Sequence, residues 1–266
     1  MSFLHSVKNG LARTPLRRLV VECRHVGLTE ADVFLASFPK TGNTWLKFML
    51  THLLTGEEAP DTLTTDRYVP SIGQHFFSRR VIPSGGRIIK THERYRNCYH
   101  RAIFIVRDGR DVAVSYYSHV QRMRKMRMPF HEYLLTYLEG KIGGFGAWHE
   151  HAKSWLDSGL TTDSNKIVVR YEDLLSRCAP ELQRICDFLN IDASEQKIRE
   201  VIAANEFQQM KRREARGGLG VVGGEKDGLT FVRKGTSGDW VNHFSDKDLR
   251  YFMELSGNVM KEFGYT

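Results

Sequence analysis

The chain has 266 residues, 41% of them hydrophobic and 26% charged, which suits one globular domain over residues 1–266 with a sizeable core. No run approaches the roughly 20 apolar residues that a membrane span needs, because the stretch 16–26 is broken by Arg17, Arg18 and Arg24, and no secretory signal is visible. The formal charge of +8 calls for an anionic partner, whether nucleic acid, anionic lipid or a multiply charged nucleotide, without choosing among them.

The first 21 residues carry Lys8, Arg13, Arg17 and Arg18 and no acid. They read as a basic arm or surface helix over about residues 1–30, or as a transit peptide. Cys23, Cys98, Cys178 and Cys186 are scattered and form no CxxC pair, so a reduced, cytoplasmic setting is expected. The first strand is expected over 33–37, followed by a helix over 44–54. A second strand is expected over 87–90 and a third over 102–106, with a helix over 111–119 behind it. The segment 145–156 reads as a helix with Trp148 and Trp155 on one face, either as core or as acceptor-pocket wall. The fourth strand follows over 167–170, then a helix over 179–189 with Pro180 in its first turn. A helix over 245–263, with Ser245 as its N-cap, closes the chain. Short, nearly continuous β-branched runs suit strands covered on both faces. Their alternation with helices predicts an α/β fold with a central parallel sheet flanked by helices. Between the last two helices, residues 216–228 hold six glycines in thirteen positions. That composition predicts a flexible segment within 212–237, as a cover over an anion or as a plain surface loop.

Four constellations carry chemistry. Phe38-Pro39-Lys40-Thr41-Gly42-Asn43-Thr44-Trp45 lies between the first strand and its helix. Unpartnered N–H groups of a first helical turn, the helix dipole and Lys40 together make an anion trap. Lysine precedes the only glycine, so this is not a Walker A loop. Arg107-Asp108-Gly109-Arg110-Asp111, with Ser115 further into the helix, follows the third strand. Arg107 there stands at the end of the sheet where ligands bind; a guanidinium and a hydroxyl suit a phosphate, although Arg107 can equally pair with Asp108 or Asp111. Lys90-Thr91-His92 ends the second strand and offers His92 as a base, or as one more structural histidine among eleven. Arg233-Lys234-Gly235-Thr236-Ser237-Gly238-Asp239-Trp240 forms a second candidate anion site.

In this order and spacing, from about Val33 to Phe244, the sequence resembles the soluble, cytosolic-type sulfotransferases that use 3′-phosphoadenosine 5′-phosphosulfate (PAPS). Pro39 to Trp45 is similar to that family's 5′-phosphosulfate loop, Arg107 to Ser115 to its 3′-phosphate motif, and Arg233 to Gly235 with Gly238-Asp239-Trp240 to its C-terminal nucleotide motif. Tyr171-Glu172-Asp173 also matches. The resemblance implies a P-loop-NTPase-like sulfotransferase fold and release of 3′-phosphoadenosine 5′-phosphate (PAP). It implies that Lys40 offsets charge on the leaving oxygen. It assigns the N–H groups of Thr41, Gly42, Asn43 and Thr44 to the 5′-phosphate. Trp45 and Phe207 enclose adenine, and Tyr171 reaches an adenine nitrogen. Arg107, Ser115, Arg233, Lys234 and Gly235 hold the 3′-phosphate, and His92 deprotonates the acceptor. The acceptor is a small molecule with a hydroxyl or amine; no metal, nucleic acid or membrane span is implied.

Two departures stand out. Glu93-Arg94 follow His92 where the family often has an apolar residue and proline, which argues against a flat, greasy acceptor. The family's dimer motif is not matched after Trp240, so the oligomeric state stays open. The alternatives are a nucleotide-dependent kinase with a divergent phosphate loop, which needs Mg²⁺ ligands, and a non-catalytic polyanion-binding protein, which predicts steep salt dependence.

Overall fold

The computed structural model describes residues 21–58, 60–124, 127–216 and 234–266. The apolar runs form β1 (Val33–Ser37), β2 (Ile88–Thr91), β3 (Arg101–Val106) and β4 (Lys166–Arg170). They pair in parallel in the order β2-β1-β3-β4. Residue alternation divides the apolar contacts between two faces. Phe34, Ala36, Ile89, Ala102, Phe104 and Val106 pack into one core layer. Val33, Leu35, Ile88, Ile103, Ile105, Ile167 and Val169 pack into the other. The sheet is therefore covered on both sides, which is why its strands lack the polar alternation of a half-exposed sheet.

The helices are α1 (Asn43–Thr55), α2 (Thr62–Tyr68), α3 (Gly109–Arg124), α4 (Phe130–Leu138), α5 (Trp148–Leu156), α6 (Tyr171–Ser176), α7 (Cys178–Leu189), α8 (Glu195–Ala204), α9 (Phe207–Ala215) and α10 (Asp246–Glu262). The sequence-predicted strands agree within a residue at each end, and Ser245 does cap α10, its hydroxyl accepting from the Asp248 N–H. The helix expected from residue 145 begins instead at Trp148. Gly146 sits at φ 79°, and Ala147 is extended at the N-cap, so the helical turn cannot start earlier. Trp148 and Trp155 are fully buried; Trp155 stacks on Phe104 and Tyr99. Both tryptophans are core, not pocket wall. Helices α2, α4, α6, α8 and α9 were not expected from the sequence.

Most of the expected basic arm (1–20) and most of the glycine-rich segment (217–233) lie outside the described residues. Arg233 and residues 125–126 lie outside them as well. Among the described residues, no helix is long and apolar enough to cross a membrane.

The strand order places the site. The chain runs from β1 outward to β2, then returns to the other side of β1 for β3. Loops leaving the carboxyl ends of β1 and β3 therefore diverge and leave a crevice between them. Pro39 to Gly42 leave β1 there, and Arg107 leaves β3.

Candidate functional site

A cavity of about 570 Å³ occupies this crevice. Its wall includes Lys40, Gly42, Asn43, Thr44 and Trp45 after β1, Lys90 from β2 and His92 just beyond it. Arg107 and Ser115 come from the β3–α3 unit, Tyr171 follows β4, Phe207 opens α9, and Lys234 and Gly235 come from the C-terminal segment. The four separate sequence constellations thus share one space. Thr41 is not on the wall: it is buried, with its hydroxyl donating to the Phe38 carbonyl at 2.8 Å.

The turn after β1 is built around two left-handed residues, Lys40 at φ 75° and Gly42 at φ 93°. Gly42 is required sterically as well, since a Cβ there would come within 2.6 Å of Tyr171 Cδ2. Gly42 is also the N-cap of α1, and no side chain caps the helix. Its first-turn N–H groups are left for an anion. The Asn43 side chain points inward, donating to Leu35 O at 3.1 Å and Ser37 Oγ at 2.8 Å. Only the backbone of Thr41 and Asn43 remains available to a ligand.

Lys40 sits in this turn with its pKa lowered to about 7, first by burial and then by the neighbouring Arg122 and Arg107 guanidinium groups. Burial, then Lys47, lowers Lys90 to about 8. Burial, then Lys90, lowers His92 to about 3. His92 Nδ1 lies 2.8 Å from the Ser37 carbonyl oxygen. A carbonyl only accepts, so Nδ1 carries the proton and donates, which leaves the Nε2 lone pair as the basic site. Phe145 packs edge-on against the His92 ring, 5.8 Å between centroids.

Arg107 is buried beside the same turn, its Nη1 donating to Lys40 O at 3.3 Å. Its Nη2 donates to Thr236 O at 3.1 Å, and its guanidinium lies 4.5 Å over the Tyr171 ring. Its Nε is buried with no hydrogen-bond partner among the described residues, an orphaned donor on a cationic group. Of the two expected partners of Arg107, Asp111 pairs with it, in the interior rather than at the surface, and Asp108 does not. Arg110 takes Asp108 instead, at 2.7 Å, and Asp111 stands 3.7 Å from Arg107 in the interior. Lys234 Nζ rests on Asp239 Oδ1 at 2.6 Å. Phe207 packs against Gly235, where a Cβ would meet its ring at 2.3 Å. Trp45 Nε1 donates to Asn205 O at 2.8 Å, which fixes that indole across the cavity wall.

Among the wall residues without a role in the sequence reading are Lys90 and His119. Lys90 stands two residues before His92; strand periodicity puts residues two apart on one face, so the signal was present. His119 lies four residues after Ser115 on α3, hence on the same helical face, and also reaches the cavity. The Glu93-Arg94 pair, by contrast, is not on the wall. Glu93 turns to Arg24, His25 and Arg96, and Arg94 pairs with Glu150. These charges therefore do not argue against an apolar acceptor.

Comparison with known proteins gives one consistent result. A family model described as the sulfotransferase domain matches residues 30–264. Cytosolic sulfotransferase 1 of Danio rerio is 28% identical over 253 residues, covering 86% of this chain and 83% of that protein. Among solved structures, mouse sulfotransferase SULT7A1 complexed with PAP aligns with a TM-score of 0.67 at 25% identity, covering 90% of this chain and 87% of that one. Retinol dehydratase, solved with androsterone and the inactive cofactor PAP, shares the fold with a TM-score of 0.70 at 21% identity, over 90% and 83% of the two chains.

Proposed function

This chain belongs to the sulfotransferase family, and from that premise we propose that its cavity takes PAPS as donor, passes the sulfuryl group in line to a hydroxyl or amine of a small-molecule acceptor, and releases PAP. The observation that carries the reading is the convergence of two sets of anion-binding groups on one cavity: Lys40 with the uncapped α1 N-terminus, and Arg107 with Ser115 and Lys234. Trp45, Tyr171 and Phe207 lie on the wall of the same cavity. The donor has the same plan, a purine flanked by a 5′-phosphosulfate and a 3′-phosphate. The buried, orphaned Arg107 Nε and the Gly42 turn that admits only a bare backbone support the fit.

The donor supplies the sulfuryl group; the protein supplies positioning and charge. The N–H groups of Thr41 to Thr44 hold the 5′-phosphate. Lys40, made cationic once anionic oxygens surround it, offsets charge on the leaving oxygen. Arg107, Ser115, Lys234 and the Gly235 N–H hold the 3′-phosphate, joined by Arg233 from outside the described residues. Trp45 and Phe207 flank adenine and Tyr171 reaches its edge. His92 accepts the acceptor proton at Nε2, its tautomer set by the Ser37 carbonyl. Lys90, beside His92, adds positive charge where the sulfuryl oxygens pass. Phe145 and Tyr116 give the acceptor end an aromatic wall. The cytosolic relative supports a cytoplasmic setting.

The test is thermal unfolding with PAP against ADP. A ligand at 100 times its Kd stabilises by about 2.7 kcal/mol, or a rise of roughly 5–10 °C for a chain this size. PAP should give that shift at concentrations where ADP gives almost none. Equal responses would remove the 3′-phosphate assignments.

A further inference from the structure

Asp111 stands in the first turn of α3 and is 1% exposed. A carboxylate that deep is costly unless donors surround it, and here most of them come from one distant segment. Oδ2 accepts from the Gly238 N–H at 2.7 Å and from Ser237 Oγ at 3.2 Å. Oδ1 accepts from the Trp240 N–H at 3.0 Å. Arg107 Nη2 lies 3.7 Å away and itself donates to Thr236 O. One carboxylate thus ties the strand-end arginine, the helix that carries Ser115 and the segment that carries Lys234 and Gly235. The segment has two further tethers, the Arg107 bond to Thr236 O and the Arg110 guanidinium 4.1 Å over the Trp240 ring. That contact fixes the indole; it does not fix the backbone at 237–238, two residues after Gly235.

Ser115 lies four residues beyond Asp111, one turn along the same face of α3. Asp111 is therefore adjacent to the space where phosphate oxygens are held, yet an anion is the wrong charge to hold them. Its charge is spent on the surrounding donors instead. We propose that Asp111 is the positioning residue that assembles the 3′-phosphate half of the donor site, by docking residues 236–240 onto α3; this rests on the donor reading above. Without it, the single Arg107 bond to Thr236 O is what is left to hold the backbone beside Gly235, and Lys234 and Gly235 are placed less firmly against Arg107 and Ser115.

The experiment measures Kd for PAP and for AMP, which differ only by the 3′-phosphate, in wild type and in Asp111→Asn. Wild type should bind PAP far more tightly than AMP. Asp111→Asn should weaken PAP by about 10–100-fold, the effect of losing one or two charge-assisted hydrogen bonds, and leave AMP within about threefold. In turnover, KM for the donor should rise by a similar factor with kcat within about threefold. Equal weakening of PAP and AMP, or no change in either, overturns the proposal. If wild type fails to distinguish PAP from AMP, the donor reading itself falls and takes this inference with it. Should Asp111→Asn not fold, Ser237→Ala decides: it removes one neutral donor and should cost about 2–5-fold for PAP alone, and a non-selective or absent effect overturns the assignment.

Discussion

PAP binding at pH 8 should draw protons out of solution. Before the ligand arrives, Lys40 has a pKa of about 7 and Lys90 of about 8, because each is buried beside other cations. At pH 8 Lys40 then carries about 0.1 proton and Lys90 about 0.5, by the ordinary titration relation. Phosphate oxygens beside Lys40 reverse the local field there, and its ammonium group returns to full charge, an uptake of roughly 0.9 proton per site; Lys90, on the sulfuryl side that PAP lacks, does not enter this count. PAP adds nothing at that pH, since its phosphates, with second pKa values of about 6, are already ionised. The sign follows directly: the Lys40 pKa is higher in the complex than in the free protein. PAP affinity must therefore weaken as pH rises above about 7, by up to tenfold per pH unit for the proton taken up. Calorimetry in buffers of different ionisation enthalpy reads the number as a slope. Lys40→Met should reduce the slope at pH 8 to near zero. A slope of zero in wild type, or one that Lys40→Met leaves unchanged, would refute the electrostatic account of the site.

Two further outcomes follow from single residues. His92→Ala should lower kcat by about 10²–10⁴, the usual range for loss of a general base, with the thermal shift by PAP kept; a variant with more than about a tenth of wild-type turnover would place the base elsewhere. Gly42→Ala forces an L-residue to φ 93° and a methyl group to 2.6 Å from the Tyr171 ring. The backbone term alone is about 1–2 kcal/mol, so the unfolding midpoint should fall by several degrees, and PAP should bind more weakly because Tyr171 must move. An unchanged midpoint would mean that the turn does not need its glycine.

The sheet was legible because its strands are buried on both faces, so Val33 to Ser37 and Ala102 to Val106 needed no partner information to be recognised. The loops after those strands were legible for a related reason: ligand chemistry in such sheets is confined to a few residues beyond each strand's end. What stayed hidden depends on contacts far apart in sequence. Glu93 and Arg94 are an ordinary charged pair until Arg24, His25 and Glu150 are brought to them by the fold. Asp111 looked like an alternative partner for Arg107, and nothing local announces that its acceptors are filled by backbone N–H groups more than 120 residues away. Helices α2 and α8 were missed although each has a side-chain cap, Asp61 to the Thr64 N–H and Ser194 to the Lys197 N–H. Both are short and lie among polar residues, where a capping residue is no different from any other turn former.

The crowding of cations bears on the proposed role of His92 as the base. In the free protein His92, at about 3, is too weak a base to attract a proton from a hydroxyl. The cause is burial reinforced by Lys90, with Lys40 also lowering it. A donor with phosphate and sulfuryl oxygens beside those lysines offsets their charge, and the same change that restores Lys40 as a cation lifts the proton affinity of His92. In the proposed reaction, with His92 as base, part of its strength is therefore set by donor occupancy: the donor offsets the lysine charges, while the larger effect of burial stays. The Ser37 carbonyl fixes the imidazole tautomer in either case, so what the donor changes is the strength of Nε2 and not the assignment of the proton on the ring.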